Sequence, residues 1–224
     1  MPTHSASTPS ASANSQTTTN LFGLLCGGLA LLALGGCGTQ TIITETAKAA
    51  FEDRLAEEQV IDAKIKTGIV SRITDIDKSL ILDVSVDVWK TRVMMTGALS
   101  DSSIRNSVIR AAQQDSRISD FYNNIHIVSE EEQSQRREWM DKAKSGGQAV
   151  SNVVSDVWIE TKISAQLIAE DGVTSVNYRW RSVLGSIYII GEASSSSELN
   201  KVLKIINATD GVKSVKSHVL LSSR

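Results

Sequence analysis

Ile61-Asp62-Ala63-Lys64-Ile65 and Ile159-Glu160-Thr161-Lys162-Ile163 are one phrase written twice, 98 residues apart (159 − 61). Farther along, Val93-Met94-Met95-Thr96-Gly97 returns as Ile187-Tyr188-Ile189-Ile190-Gly191, at an offset of 94 (191 − 97). A repeat this long is a duplicated globular module, because solenoid units run to only ~20–50 residues. The offsets differ by 4 (98 − 94), which predicts a shorter first loop in the second copy.

Both phrases open an amphipathic helix. Ile61, Ile65 and Ile69 recur every fourth residue in the first copy, as do Ile159, Ile163 and Leu167 in the second, which gives one apolar stripe per helix. Alternation follows: Leu82, Val84 and Val86 point one way and Asp83, Ser85 and Asp87 the other, the pattern of a half-buried strand. The second copy has Val176, Tyr178 and Trp180 inward, with Asn177, Arg179 and Arg181 outward. A turn at Lys90-Thr91, or at Leu184-Gly185, leads to a second strand ending at Gly97 or Gly191. Glycine at both strand ends predicts a backbone position that a side chain would obstruct.

The next helix runs from Asp101 to about Gln114, with an N-cap residue in front and Ile104, Val108 and Ala111 on its apolar side. Its twin runs from Ser195–Ser197 to about Ala208 and carries Leu199, Val202, Leu203 and Ile206. A third strand closes each module, Phe121 to Val128 and Val212 to Leu221, the latter after the turn Asp210-Gly211. Each module is therefore helix–strand–strand–helix–strand, an α+β unit with both helices on one sheet face. The modules occupy residues 59–129 and 153–224, and the charged segment 130–152, with Gly146-Gly147, reads as a linker. Residues 37–58 extend the first helix through Ala49, Ala50, Phe51 and Leu55. Modules of this size are small for a single core, which predicts that they pack on one another. Asp83 and Asp87 in one module and Arg179 and Arg181 in the other would then pair across the interface; two unrelated solvated faces are the alternative.

The first twenty residues are Ser/Thr/Asn/Ala-rich, and Leu21 to Gly36 is an uncharged apolar stretch that ends in two glycines before Cys37. It falls short of the roughly 20 residues of a spanning helix and reads as a signal peptide over residues 1–36, although its polar start carries no Lys or Arg. Leu34-Gly35-Gly36-Cys37 resembles a bacterial lipobox, which implies cleavage before Cys37 and acylation of its thiol and new N-terminus. Gly38 follows in place of Asp, which in that system implies export to the outer membrane, facing the periplasm. With Cys26 removed, Cys37 is the only cysteine left, so neither an internal disulfide nor a Cys-based metal site is expected.

The modules resemble BON domains, with a strand-end Gly after an apolar strand and Gly-Val before the last strand. Ile189-Ile190-Gly191 and Asp210-Gly211-Val212 carry both marks; the first copy keeps Gly97 but has Ser116-Arg117-Ile118 where Gly-Val would lie, so its last turn must be built differently. Asp156-Val157-Trp158-Ile159-Glu160-Thr161-Lys162, with the lipobox, is most similar to the dual BON-domain outer-membrane lipoprotein family (DolP/YraP-like). The resemblance implies two tandem αββαβ modules, each a three-stranded mixed sheet with two helices on one face. It also implies a non-enzymatic role in envelope integrity, with the second module binding anionic phospholipid through its first helix, where the family's Trp matches Trp158.

Trp158 lies about 100° round the helix from Ile159, and its counterpart at an offset of 98 is Val60. It reads either as an interfacial anchor or as a cap on the core's edge. Lys162, one turn on, is placed to meet a lipid phosphate, with Ala165 keeping that face flat; an ordinary solvated charge is the alternative, since Lys64 would be its counterpart. Residues 151–224 carry eight Lys or Arg against seven Asp or Glu, no nucleic-acid footprint, so lipid binding there is expected to be local, with the acyl chains supplying the anchoring. His126 and His218 sit at unmatched places in the third strands, as structural or exposed residues. No Gly-x-Ser-x-Gly, phosphate loop or recurrent His/Asp set is present, so no cofactor, metal or enzyme activity is expected. The rival partner is a protein, with this chain assisting outer-membrane protein assembly and lipid serving only as tether.

Overall fold

The computed structural model describes residues 52–144 and 156–222, all within one compact unit, Thr41–Arg224. The first module is α1 (Ala56–Ile76), β1 (Val84–Trp89), β2 (Arg92–Leu99), α2 (Ser102–Ala112) and β3 (Asp120–Ile127). A further helix, α3 (Glu130–Lys144), leads to the second module: α4 (Asp156–Ala169), β4 (Tyr178–Val183), β5 (Ser186–Ala193), α5 (Ser196–Ala208) and β6 (Ser214–Leu221). In each sheet the middle strand pairs antiparallel with the strand before it and parallel with the strand after it. The expected α+β architecture of two three-stranded mixed sheets is what the chain forms.

The repeat keeps a single offset of 94 throughout. The buried stripe of α1 is Ile65, Ile69 and Ile73, and that of α4 is Ile159, Ile163 and Leu167, which puts Ile65 opposite Ile159 (159 − 65 = 94). Ile73 precedes Val84 by 11 residues (84 − 73) and Leu167 precedes Tyr178 by the same 11 (178 − 167), so the second copy's first loop is not shorter. The expected register was one helical turn out. Ile61, Ile65, Ile69 and Ile73 all lie four apart, so a slip of one turn preserves the stripe; burial separates the registers, since Ile61 is 39% exposed. Each fully buried Ile contributes roughly 1.5–3 kcal/mol relative to exposure, which is why the stripe settles on the three that reach the sheet.

A second marker fixes this register. Asp62 accepts hydrogen bonds from the amides of Lys90 (2.7 Å) and Thr91 (2.8 Å), and Asp156 from those of Leu184 (2.8 Å) and Gly185 (2.9 Å). Each carboxylate thus clasps the hairpin turn of its own module. Lys90, Thr91 and Leu184 sit in the left-handed region (φ 49°, 61° and 56°); the primed turn matches the strand twist, and the clasp offsets the strain of such a φ in non-glycine residues. At the other end of the hairpin a Cβ on Gly97 would lie 2.1 Å from the Asp83 carbonyl oxygen, and one on Gly191 would lie 2.2 Å from that of Asn177. Both glycines are therefore obligatory.

The last turn is closed by one bond in both copies, Ile118 N–H to Asp115 O (3.2 Å) and Val212 N–H to Thr209 O (3.1 Å). Gly211 takes φ 90°. Arg117 instead donates its amide and guanidinium to the Asp115 carboxylate, and this pairing, with Arg72 nearby, brings the Asp115 pKa down to about 2 against the opposing effect of burial.

One sheet face in each module packs under its two helices, and the other faces meet. Trp89, Met94 and Ala98 pack against Val183, Tyr188 and Ile190, with β1 meeting β5 and β2 meeting β4. The layers run helices, sheet, sheet, helices. Burial on both faces explains why Arg92–Leu99 is buried at every position and why β2 and β5 read as continuous apolar runs. Asp83, Asp87 and Asn177, expected on outward faces, are buried here, whereas Leu82, expected inward, is 41% exposed and ends a 3₁₀ turn.

Polar contacts fix this interface. Asp87 and Arg181 pair at 2.9 Å, Lys90 and Glu192 at 2.5 Å, and the Arg92 guanidinium donates to the carbonyls of His218 (2.7 Å) and Gly191 (2.9 Å). Arg179 does not pair with an aspartate of β1; it binds Glu52, which also holds Arg54, and Arg54 lies over Trp89 at 4.1 Å. The segment expected as linker begins with α3, which braces both modules: Arg137 pairs with Asp83 and Arg136 with Asp156. α1 starts at Ala56 with Leu55 exposed before it; Ala49, Ala50, Phe51, Cys37 and residues 1–36 lie outside the described residues.

Candidate functional site

α4 turns Ile159, Ile163 and Leu167 into the second core, which leaves Trp158 and Lys162 together on its flank. Trp158 is partly buried and packs on the rim of that core. The Lys162 ammonium sits 3.6 Å from the Trp158 ring centroid and 3.0 Å from Asp210 Oδ2. A cation over an indole face is attracted by the ring quadrupole, about 0.5–1 kcal/mol at an exposed site. The turn that carries Asp210 is tied to α4 separately: Thr209 Oγ1 donates to Gln166 Oε1 at 2.6 Å.

Ala165 is exposed and lines a groove between α4 and the edge strand β4, together with Thr161, Ser164, Ile168, Trp180 and Arg179. Ile168 is 67% exposed there. Toward the module interface Val157, Glu160 and Arg181 line both this groove and a cleft reaching Leu82, Asp83 and Asp156. Burial pushes the Glu160 carboxyl up, reinforced by Asp87 and Asp156 and opposed by Arg181 and the Ser182 amide. For Asp156 burial also pushes upward, but the Ser182 hydroxyl, Arg136 and the turn amides outweigh it and hold the carboxyl below its usual range. Among the described residues no group of three His, Cys, Asp or Glu is placed to hold a metal, and no helix is long and apolar enough to cross a membrane.

The corrected register changes what the site is compared with. Trp158 stands opposite Lys64 and Lys162 opposite Gly68 (162 − 94), not opposite Val60 and Lys64; Ala165 stands opposite Ser71. The stacked pair therefore belongs to the second module alone. The sequence had shown Asp210 only as half of a turn. Its role needed the third dimension, because 48 residues separate it from Lys162.

The BON domain family model matches residues 155–222, the second module. The uncharacterized protein in the gshII 5' region of Anaplasma centrale is 31% identical over 138 residues, 62% of this chain and 81% of that protein. The chain belongs to the BON-domain proteins. Osmotically-inducible protein Y of Escherichia coli (strain K12) is 24% identical to this BON-domain protein over 161 residues, 72% of this chain and 71% of that one. CdsD, a structural protein of the type III secretion system of Chlamydia trachomatis, overlays 70% of this chain and 91% of its own at 10% identity, with a TM-score of 0.30, too loose to argue from. The BON match falls on the module that carries the Trp158–Lys162 pair.

Proposed function

We propose that this BON-domain protein is a non-enzymatic lipoprotein of the outer membrane, facing the periplasm and supporting envelope integrity. In this reading the first module is a diverged second BON copy, Cys37 carries the acyl chains, and the second module binds anionic phospholipid through Trp158 and Lys162, with Ala165 on the adjoining surface. BON domains are linked in general to membrane or phospholipid binding. The observation that carries the reading is the stacking of Lys162 on Trp158 at 3.6 Å in the BON-matched module, with Lys64 and Gly68 at the corresponding places in the first. An indole suits the headgroup boundary and an ammonium beside it suits a negatively charged surface. Such contacts are weak alone, so the acyl chains supply most of the anchoring.

Vesicle flotation of the non-lipidated 38–224 fragment tests this. The parent should float with anionic vesicles and not with zwitterionic ones, and Trp158→Ala should bind about three- to tenfold more weakly, given the modest worth of an exposed cation–aromatic pair and one interfacial anchor. The reading fails if Trp158→Ala stays folded by circular dichroism and floats as the parent does. A parent indifferent to lipid charge points instead to a protein partner in outer-membrane assembly, and a large loss of thermal stability in Trp158→Ala assigns the indole to the core.

A further inference from the structure

We propose that Asp210 is an electrostatic gate on this site, holding Lys162 in the resting protein and yielding it to an anionic lipid surface; this rests on the reading that Trp158 and Lys162 meet phospholipid. Three observations carry it. Lys162 Nζ lies 3.0 Å from Asp210 Oδ2 while its other side covers the Trp158 ring at 3.6 Å. The Asp210 side chain is 81% exposed and that of Lys162 36% exposed, so a phosphate reaches the ammonium from the same solvent side that the carboxylate occupies. The turn does not depend on Asp210, because Thr209 Oγ1 lies 2.6 Å from Gln166 Oε1 and 3.0 Å from Ile205 O, sharing its one hydrogen between them, and the Thr209 carbonyl accepts from Val212 N–H (3.1 Å).

The consequence is competitive. In the resting state the second module presents an ion pair of no net charge at its most membrane-like aromatic residue. A headgroup phosphate must displace the carboxylate and approach it against like-charge repulsion. A single phosphate in solution does this poorly, whereas a surface bearing many phosphates raises the local anion density and draws the ammonium away. The first module has nothing to gate: Lys64, Gly68 and Ser116 stand at the places of Trp158, Lys162 and Asp210. The gate thus sets a threshold of surface charge below which the aromatic residue stays covered.

Asp210→Asn in the 38–224 fragment, which contains the whole compact unit, tests the gate. Flotation on phosphatidylglycerol-containing vesicles at low salt should show about two- to fivefold tighter binding than the parent, the range an exposed ion pair supports, narrowing as salt screens both. Asp210→Glu should bind as the parent does, and adding Lys162→Gln to Asp210→Asn should abolish the gain. Inorganic phosphate at matched ionic strength should not compete. The gate is overturned if Asp210→Asn binds no more tightly, if the gain survives Lys162→Gln, or if inorganic phosphate competes as well as the vesicles do. When the parent binds and Asp210→Asn gains nothing, the gate alone falls; when neither binds, the lipid reading falls with it.

Discussion

Superposed at an offset of 94, residues 62–127 and 156–221 keep the contacts that fix the backbone and change the side chains that face away from each module's own core. Asp62 and Asp156 clasp the same turn, Gly97 and Gly191 admit the same close carbonyl, and three aliphatic residues fill each first helix. Because the two sheets meet through their matching faces, equivalent positions confront each other: Asp87 pairs with Arg181, its own counterpart (181 − 87 = 94). Like charges at both positions would repel across a buried interface, as the same patch meets itself in a two-fold dimer. Duplication therefore supplied the shape of this interface, and divergence supplied its charge complementarity. The outer helix surfaces had no such constraint, and there one copy acquired Trp158 and Lys162.

The sharpest way to break the equivalence is at the shared glycines. Gly97→Ala and Gly191→Ala would each drive a methyl to within 2.2 Å of a backbone carbonyl oxygen, at φ of 151° and 156°. The strand pair must separate, at a cost of about 3 kcal/mol or more. Both variants should unfold at markedly lower temperature by circular dichroism, in a single transition because the modules share an interface. A variant that melts as the parent does removes the close approach from the account.

The clasps are next in size. Asp62→Ala and Asp156→Ala each strip two amides of their acceptor, at about 1–3 kcal/mol for buried groups left unpaired. Asp62→Ala leaves Arg54 with Glu52 alone, whereas Asp156→Ala removes the carboxylate that pairs with Arg136. Asp156 additionally accepts from the Ser182 hydroxyl at 2.6 Å, so its loss should be the larger. Urea unfolding of both variants decides this; equal stability to the parent at either site undoes the register of 94.

Much of this was legible in the chain. The duplication, the element order within each module and both glycines follow from local pattern, because period and turn chemistry act over a few residues; α3, in the segment that reads as a linker, does not. The helix register did not, since Ile61 to Ile73 offers two stripes one turn apart and only contact with the sheet chooses between them. The burial of Asp83, Asp87 and Asn177 was also hidden: alternation assigns polar residues to solvent, and here that side is covered, for Asp87 by Arg181 of the other module, for Asp83 by Arg137 of α3 and for Asn177 by Asp53 ahead of α1. Pairing of opposite charges was legible in kind, with Asp87 and Arg181 meeting as expected, while Arg179 reached Glu52, outside the repeat. At the candidate site Trp158 stood out by the family resemblance and Lys162 by lying one turn on, but Asp210 could be found only through the fold.

The smallest effect should come from pH, at a position where the copies differ: Asn124 in the first module stands opposite His218 in the second (218 − 94 = 124). His218 stacks on Tyr122 at 3.9 Å across the interface, and burial, with Lys216 and Arg92 adding to it, lowers its pKa from 6.5 to about 4. Burial, with Arg136, also lowers that of His126, against a smaller upward pull from Asp156. A histidine lowered on folding takes up its proton first in the unfolded chain. Stability is thus full above pH 6.5 and declines as the pH falls toward 4. Asp156, Glu192 and Glu198 are held below their usual values, so they lose stability only at lower pH, and Glu160, held above its own, opposes the slope. The upper part of the window therefore belongs to the histidines. After allowance for the partial exposure of His218 the loss is on the order of 1 kcal/mol, a few degrees in Tm. His218→Asn, which copies the first module's residue, should flatten the fall in Tm between pH 6.5 and 5, and His126→Gln should flatten what remains; a slope unchanged in the double variant would place the titrating groups elsewhere in the molecule.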